Sequence, residues 1–122
     1  MKHLLLIEDN DEIRDNTAEI LELAGYKVTT AENGKVGVEK AIQEKPDLII
    51  CDIMMPVLDG LSATRQVRDR ESRLRLPRVP IVAMTANAFD EDVTASMAAG
   101  MDGHLAKPYS REQLFELLRR WL

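Results

Sequence analysis

Five polar side chains stand where short apolar runs end: Glu8 and Asp9 after HLLLI, Asp52 after LIIC, Thr85 after IVAM and Lys107 after HLA. A carboxylate closing a buried run is costly unless something pairs with it. Three carboxylates gathered within a few ångström repel one another, which raises their pKa values or demands a cation. A hard divalent ion answers that demand, and Mg²⁺ is typically held by one or two carboxylates together with waters and phosphate oxygens. Lys107 adds a mobile ammonium suited to one carboxylate or phosphoryl oxygen, and Thr85 adds a hydroxyl donor. Together these groups describe a phosphoryl-transfer site with a carboxylate nucleophile, and Asp52 is the candidate nucleophile. Each residue alone has a blander reading. A Glu-Asp pair is a common helix N-terminus signal, a strand-end threonine is usually structural, and a lysine before proline is usually solvated. The joint pattern carries the chemistry.

Such a cluster requires elements that deliver all five residues to one rim. Apolar runs and helical patterns alternate five times. HLLLIE (3–8), YKVTTA (26–31), DLIICD (47–52), PIVAMT (80–85) and HLAK (104–107) read as strands. Between the first two, Ile13, Ile20, Leu21 and Ala24 mark a helix with Gly25 as its C-cap. Asn33-Gly34 turns into a second helix carrying Val38, Ala41 and Ile42. Leu61, Thr64 and Val67 mark a third, which dissolves into the loop ESRLRLPRVP (71–80), whose arginines are expected to be solvated. Phe89, Val93 and Met97 form the stripe of a fourth, stopped by Gly100. The last helix has Leu114, Leu117, Leu118 and Trp121, with Ser110 as N-cap and Glu112 in its first turn. Continuous apolar strands alternating with helices predict a parallel sheet covered on both faces, with right-handed crossovers. In such sheets ligands sit beyond the carboxyl ends of the strands, where four of the five strands place a polar group; the second ends in Thr30-Ala31 and brings none.

The 122 residues, 45% hydrophobic and 30% charged, make a single domain with an ordinary core. No apolar run approaches the ~20 residues that cross a membrane, and the apolar part of MKHLLLIED is too short for a signal peptide. One cysteine allows no internal disulfide, so a cytoplasmic setting is expected, with Cys51 as an inert core residue. The net charge of −5 argues against nucleic acid as a direct partner. No repeat, linker or low-complexity segment stands out. Charge is unevenly spread, at −7 over residues 1–60 and +2 over 61–122, where nine of the ten arginines lie.

EDN at 8–10, CDIMMPVLDG around Asp52, MTANA around Thr85 and KP at 107–108 resemble the receiver domain of two-component response regulators, the CheY-like family, in register along the whole chain. The resemblance implies a flavodoxin-like (βα)5 three-layer α/β sandwich with strand order 2-1-3-4-5. Residues 1–122 would then be one receiver domain with no output domain. It implies that Asp52 is the phosphoacceptor, that Mg²⁺ or Mn²⁺ is bound by Asp9 and Asp52 directly, by Glu8 through water and by the backbone carbonyl of Met54. Thr85 and Lys107 would hold the phosphoryl oxygens with backbone N–H groups near Met54 and Ala86, and the Lys107–Pro108 bond would be cis. Three residues before Lys107 the family usually has Tyr or Phe, a ring that turns inward when the threonine moves; here it is His104. Turning an imidazole inward desolvates it and favours its neutral form, so the active arrangement should weaken as pH falls through the histidine range.

The implied role is a signalling switch, not an enzyme. Its implied partner is a histidine kinase or histidine phosphotransfer domain, and the surface of the fourth helix, fifth strand and fifth helix would change on phosphorylation. MTANAFDED and GMDGHLAKP look closest to receivers of hybrid sensor kinases, and a monomer or weak dimer is expected. Two other readings stand beside it. Phosphatases and phosphotransferases of the acid-site α/β type usually carry a second Asp two residues after the nucleophile, where this chain has Met54. A pseudo-receiver would normally have lost an acid or the lysine, and this chain keeps both. The charge asymmetry fits either an arginine-rich loop or an engineered chimera of two receivers joined near Gly60; a seam would loosen packing between the first and last helices.

Overall fold

Every residue of LLLI (4–7), LIICD (48–52) and IVAMT (81–85) is buried, which is the burial of strands covered on both faces. The computed structural model describes residues 2–53, 58–85, 90–107 and 109–122. Its strands are β1 (His3–Ile7), β2 (Lys27–Ala31), β3 (Leu48–Asp52), β4 (Ile81–Thr85) and β5 (Gly103–Ala106). They form one sheet in the order β2-β1-β3-β4-β5, each neighbouring pair parallel. The expected order and fold are those observed.

Because successive side chains of a strand point to opposite faces, the core divides into two layers. Leu5, Ile7, Ile49, Cys51, Ile81 and Ala83 face one cluster, closed by Val38 and Ala41 of α2 (Gly34–Glu44) and by Ala63 and Val67 of α3 (Gly60–Leu74). Leu4, Leu6, Leu48, Ile50, Val82 and Met84 face the other, closed by Ala18 and Leu21 of α1 (Asp11–Leu23) and by Leu114, Leu117 and Leu118 of α5 (Arg111–Trp121). The α1–α5 interface, where a seam between halves would show, shares this second cluster. Beside it, a 2.7 Å hydrogen bond between Thr17 Oγ1 and Tyr109 Oη ties α1 to the segment just before α5.

Helix starts follow side-chain capping. Asn10, Asn33, Asp59 and Ser110 accept from the backbone N–H groups of Ile13, Val36, Ser62 and Gln113. At α5, Gln113 returns the bond to the Ser110 N–H at 2.8 Å, completing a capping box. Gly25 lies one residue past the cap Ala24, with φ +98°.

Two expectations about the second half are corrected. The third helix does not dissolve at Glu71 but runs to Leu74. It is held there because buried Glu71 accepts from Arg68 Nη1 at 2.8 Å and from the Val79 N–H at 2.7 Å. The arginines of that 71–80 segment are exposed, as expected, while Arg78 also donates to Asp102 at 2.8 Å and Arg73 pairs with Asp69 at 3.1 Å. In α4 (Asp90–Ala99) the expected Phe89–Val93–Met97 stripe does not set the buried face at its last position. Met97 is 53% exposed, while Ser96 and Ala99 are buried, small residues that let the helix lie close to its neighbours. Phe89 lies outside the described residues. Gly100 closes the helix with φ +104°.

Candidate functional site

Parallel strands end at a common rim, and here they deliver their polar termini together. Glu8 follows β1, Asp52 ends β3, Thr85 ends β4 and Lys107 follows β5. The Lys107 ammonium donates to Glu8 Oε1 at 2.9 Å and to Asp52 Oδ2 at 3.0 Å. Glu8 is fully buried and Asp52 is 4% exposed. Glu8, Asp9 and Asp52 each present a carboxylate oxygen, and these lie within 4.8 Å of one another. Burial is the main cause that pushes the Glu8 carboxyl up to about 7, helped by its contact with Asp52 and opposed by Lys107. Burial pulls the Lys107 ammonium down, but hydrogen bonds and charge from Glu8 and Asp52 outweigh it and leave its pKa raised.

Backbone bonds fix these side chains. The Glu8 N–H donates to Ala31 O at 3.0 Å, the Lys107 N–H donates to Thr85 O at 2.7 Å, and the Ile53 N–H donates to Met84 O at 3.3 Å. Asp59 caps α3, and the N–H of Gly60, its first residue, donates to Ile53 O at 3.2 Å just beyond β3. A Cβ on Gly60 would meet the Asp52 carbonyl oxygen at 2.3 Å, so only glycine lets the start of α3 approach β3 this closely. Buried Thr85 Oγ1 has no hydrogen-bond partner among the described residues. A buried hydroxyl in that condition costs free energy and fits a ligand oxygen that is yet to arrive.

The sequence-based set is therefore brought together for Glu8, Asp9, Asp52, Thr85 and Lys107. Met54, Ala86 and Pro108 lie outside the described residues. His104 sits exposed on β5 opposite Ala83, two residues before the Ala106 that pairs with Thr85. By strand alternation it shares a face of the sheet with Thr85. Cys51 is buried and burial pushes its thiol up, as an inert core residue requires.

Two contributors were not singled out in the sequence. Arg14 of α1 donates to Glu8 O at 3.0 Å, binding that helix to the rim. Tyr109 bonds Thr17 and feels Glu8, and burial raises its pKa.

Three carboxylates against one ammonium, with an orphaned buried hydroxyl beside them, fit a divalent cation and an anionic group. Comparison with known proteins points the same way. The family model of the response regulator receiver domain matches residues 4–119. Two-component system protein A of Emericella nidulans is 39% identical over 124 residues, covering 98% of this chain and 17% of that protein. Transcriptional regulatory protein CseB of Streptomyces coelicolor is 35% identical over 117 residues, covering 96% of this chain and 47% of that protein. The chain thus spans less than half the length of either relative. Among solved structures, chemotaxis protein CheY4 of Vibrio cholerae superposes with a TM-score of 0.91 at 32% identity, over 100% of this chain and 99% of that one. The receiver domain of sensor histidine kinase PA1611 from Pseudomonas aeruginosa PAO1 was solved with a magnesium ion in its active site cleft. It gives a TM-score of 0.87 at 41% identity, over 98% and 96% of the two chains. A match unbroken from the first strand to the last helix makes this chain a member of the response regulator receiver domain family.

Proposed function

We propose that this receiver takes a phosphoryl group on Asp52 from the phosphohistidine of a histidine kinase or histidine phosphotransfer domain. The observation that carries the reading is Lys107, whose ammonium reaches both Asp52 Oδ2 and Glu8 Oε1 at the rim where buried Thr85 Oγ1 stands without a partner. A carboxylate oxygen of Asp52 attacks phosphorus, the new P–O bond forms, and the P–N bond breaks with its electron pair left on the imidazole nitrogen. Glu8, Asp9 and Asp52 would hold Mg²⁺, with Mn²⁺ as its substitute, and the ion would supply positive charge to the phosphoryl oxygens. Lys107 shifts its ammonium from Asp52 to one phosphoryl oxygen, and the Thr85 hydroxyl turns to donate to another.

The Thr85 movement opens room on the sheet face it shares with His104, and the exposed imidazole turns inward. The surface of α4, β5 and α5 then presents a different face to its partner, a population shift driven by local charge. The chain acts as a switch that turns over only its own phosphoryl group. Met54 stands where an acid-site phosphatase would keep its second aspartate. No described helix is long and apolar enough to cross a membrane, and the one cysteine is a buried free thiol; both suit a cytoplasmic switch.

The test is incubation with a small phosphodonor, with and without Mg²⁺, followed by intact-mass measurement. The wild type gains one phosphoryl group only with the metal. Asp52→Asn, nearly isosteric, folds and gains none. A variant that still gained the mass at the wild-type rate would place the acceptor elsewhere.

A further inference from the structure

A second concave site lies at the opposite end of the sheet, before β3 and β4 begin. It is a cleft of about 300 Å³ between α2 and α3, walled by Ala41, Ile42, Val67, Leu76, Pro77 and Val79. Its two acids are already engaged. Asp47 accepts from the His3 N–H at 2.8 Å, and Glu71 accepts from Arg68 and the Val79 N–H. Lys45 also lines the cleft, and Arg75 precedes Leu76 in its wall. Neither has an ion-pair partner among the described residues.

These two residues share a second property. Lys45 (φ +48°) and Arg75 (φ +54°) are the non-glycine residues with left-handed backbone among the described residues, at the C-caps of α2 and α3. Glycine would hold that conformation at lower cost. A cation there does compensate the helix dipole, yet both are long and exposed, Lys45 in the lining of the recess and Arg75 next in the chain to the lining residue Leu76. Beside them Leu74 is 57% exposed, and residues 70–78 carry four arginines against one glutamate in a chain of net −5.

We propose that this cleft docks a short acidic protein segment carrying one large apolar side chain. The apolar side chain enters the recess against Val67 and Leu76, and flanking carboxylates meet Lys45 and Arg75. Charge complementarity selects this occupant. A nucleic acid backbone would track across a surface that is acidic beyond this patch, and a flat bilayer cannot enter a concave recess. The site is remote from Asp52, so it recruits a partner whether or not the rim is phosphorylated.

The test is an NMR titration of the isotope-labelled protein with a synthetic peptide in which Asp and Glu flank a Leu-Phe pair. Amide shifts are expected at Lys45, Val67, Leu76 and Val79, and none with the same peptide flanked by Lys and Arg. Lys45→Gly with Arg75→Gly should weaken binding about tenfold while thermal stability holds or rises and phosphorylation at the rim is unchanged. Leu74→Ser, at an exposed position, should also weaken binding and serves if the double variant folds poorly. The proposal is overturned by absent shifts at the cleft, or by undiminished binding in both variants. Tighter binding of a single-stranded oligonucleotide or phosphatidylserine vesicles would also overturn it, as would the same shifts produced by raising protein concentration alone.

Discussion

Lys107 answers two buried carboxylates at once, so its loss is felt before any chemistry begins. Lys107→Met should destabilise the metal-free protein by about 1–2 kcal/mol, because Glu8 and Asp52 lose their only described cation and Glu8 must hold a proton more firmly. Urea denaturation at neutral pH measures it. Glu8 itself makes stability depend on pH. Its carboxyl is raised from 4.5 to about 7, so between those values the folded chain keeps a proton that the unfolded chain has released. Stability of the metal-free protein therefore falls as pH rises through that window, and the loss is complete above it, on the order of 3 kcal/mol. Glu8→Gln should flatten the slope of melting temperature against pH between about 4.5 and 7. A slope that persists in the variant would assign it to another group. The residues of the rim were legible because each interrupts an apolar run where a strand must end. Tyr109 was not, since its partner Thr17 lies 92 residues away and nothing local in either segment signals the contact.

At the scale of elements, the same rim depends on how tightly α3 folds back on β3. Gly60→Ala would drive a methyl group into the Asp52 carbonyl, and the backbone that must give way is the one that carries the proposed acceptor. We expect a loss of about 2–4 kcal/mol and slower phosphorylation, read from the urea midpoint and from the mass assay. A neutral effect would mean the turn has slack that the close approach denies. The parallel sheet, the four polar strand ends and the α5 stripe followed from apolar periodicity, since burial on two faces leaves little freedom; the strand order came from the family resemblance, and in α1 only Leu21 of the expected stripe is buried, beside Thr17 and Ala18. The end of α3 and the face of α4 did not follow from periodicity either. Glu71 reads as a polar residue opening a loop until Val79 and Arg68 are brought to it from elsewhere in the fold. In α4 the small residues Ser96 and Ala99 take the inner positions that size alone would have given to Met97.

The whole molecule binds its acids into one electrostatic problem, and metal should relieve it. Millimolar Mg²⁺ is expected to raise the melting temperature by mass action on the folded state, and Asp9→Ala should lose most of that gain; calorimetry with and without chelator decides. The charge asymmetry of the two halves also finds a physical use. Arg68 alone donates to Gly100 O, Glu71, Val79 O and Asp102, at 2.7–2.9 Å, and Arg78 adds a second contact to Asp102. Arginine's planar fork suits such a junction better than lysine. That junction clamps the chain where α4 ends, since Gly100 and Asp102 flank buried Met101 just beyond Ala99. A helix pinned at one end moves as a lever. With ten residues α4 is about 15 Å long, so a tilt of roughly 10° about the Arg68 clamp displaces its far end by about 2–3 Å while the clamped end hardly stirs. The far end is the one that follows Thr85, so a small event at the rim acts where leverage over the helix is greatest.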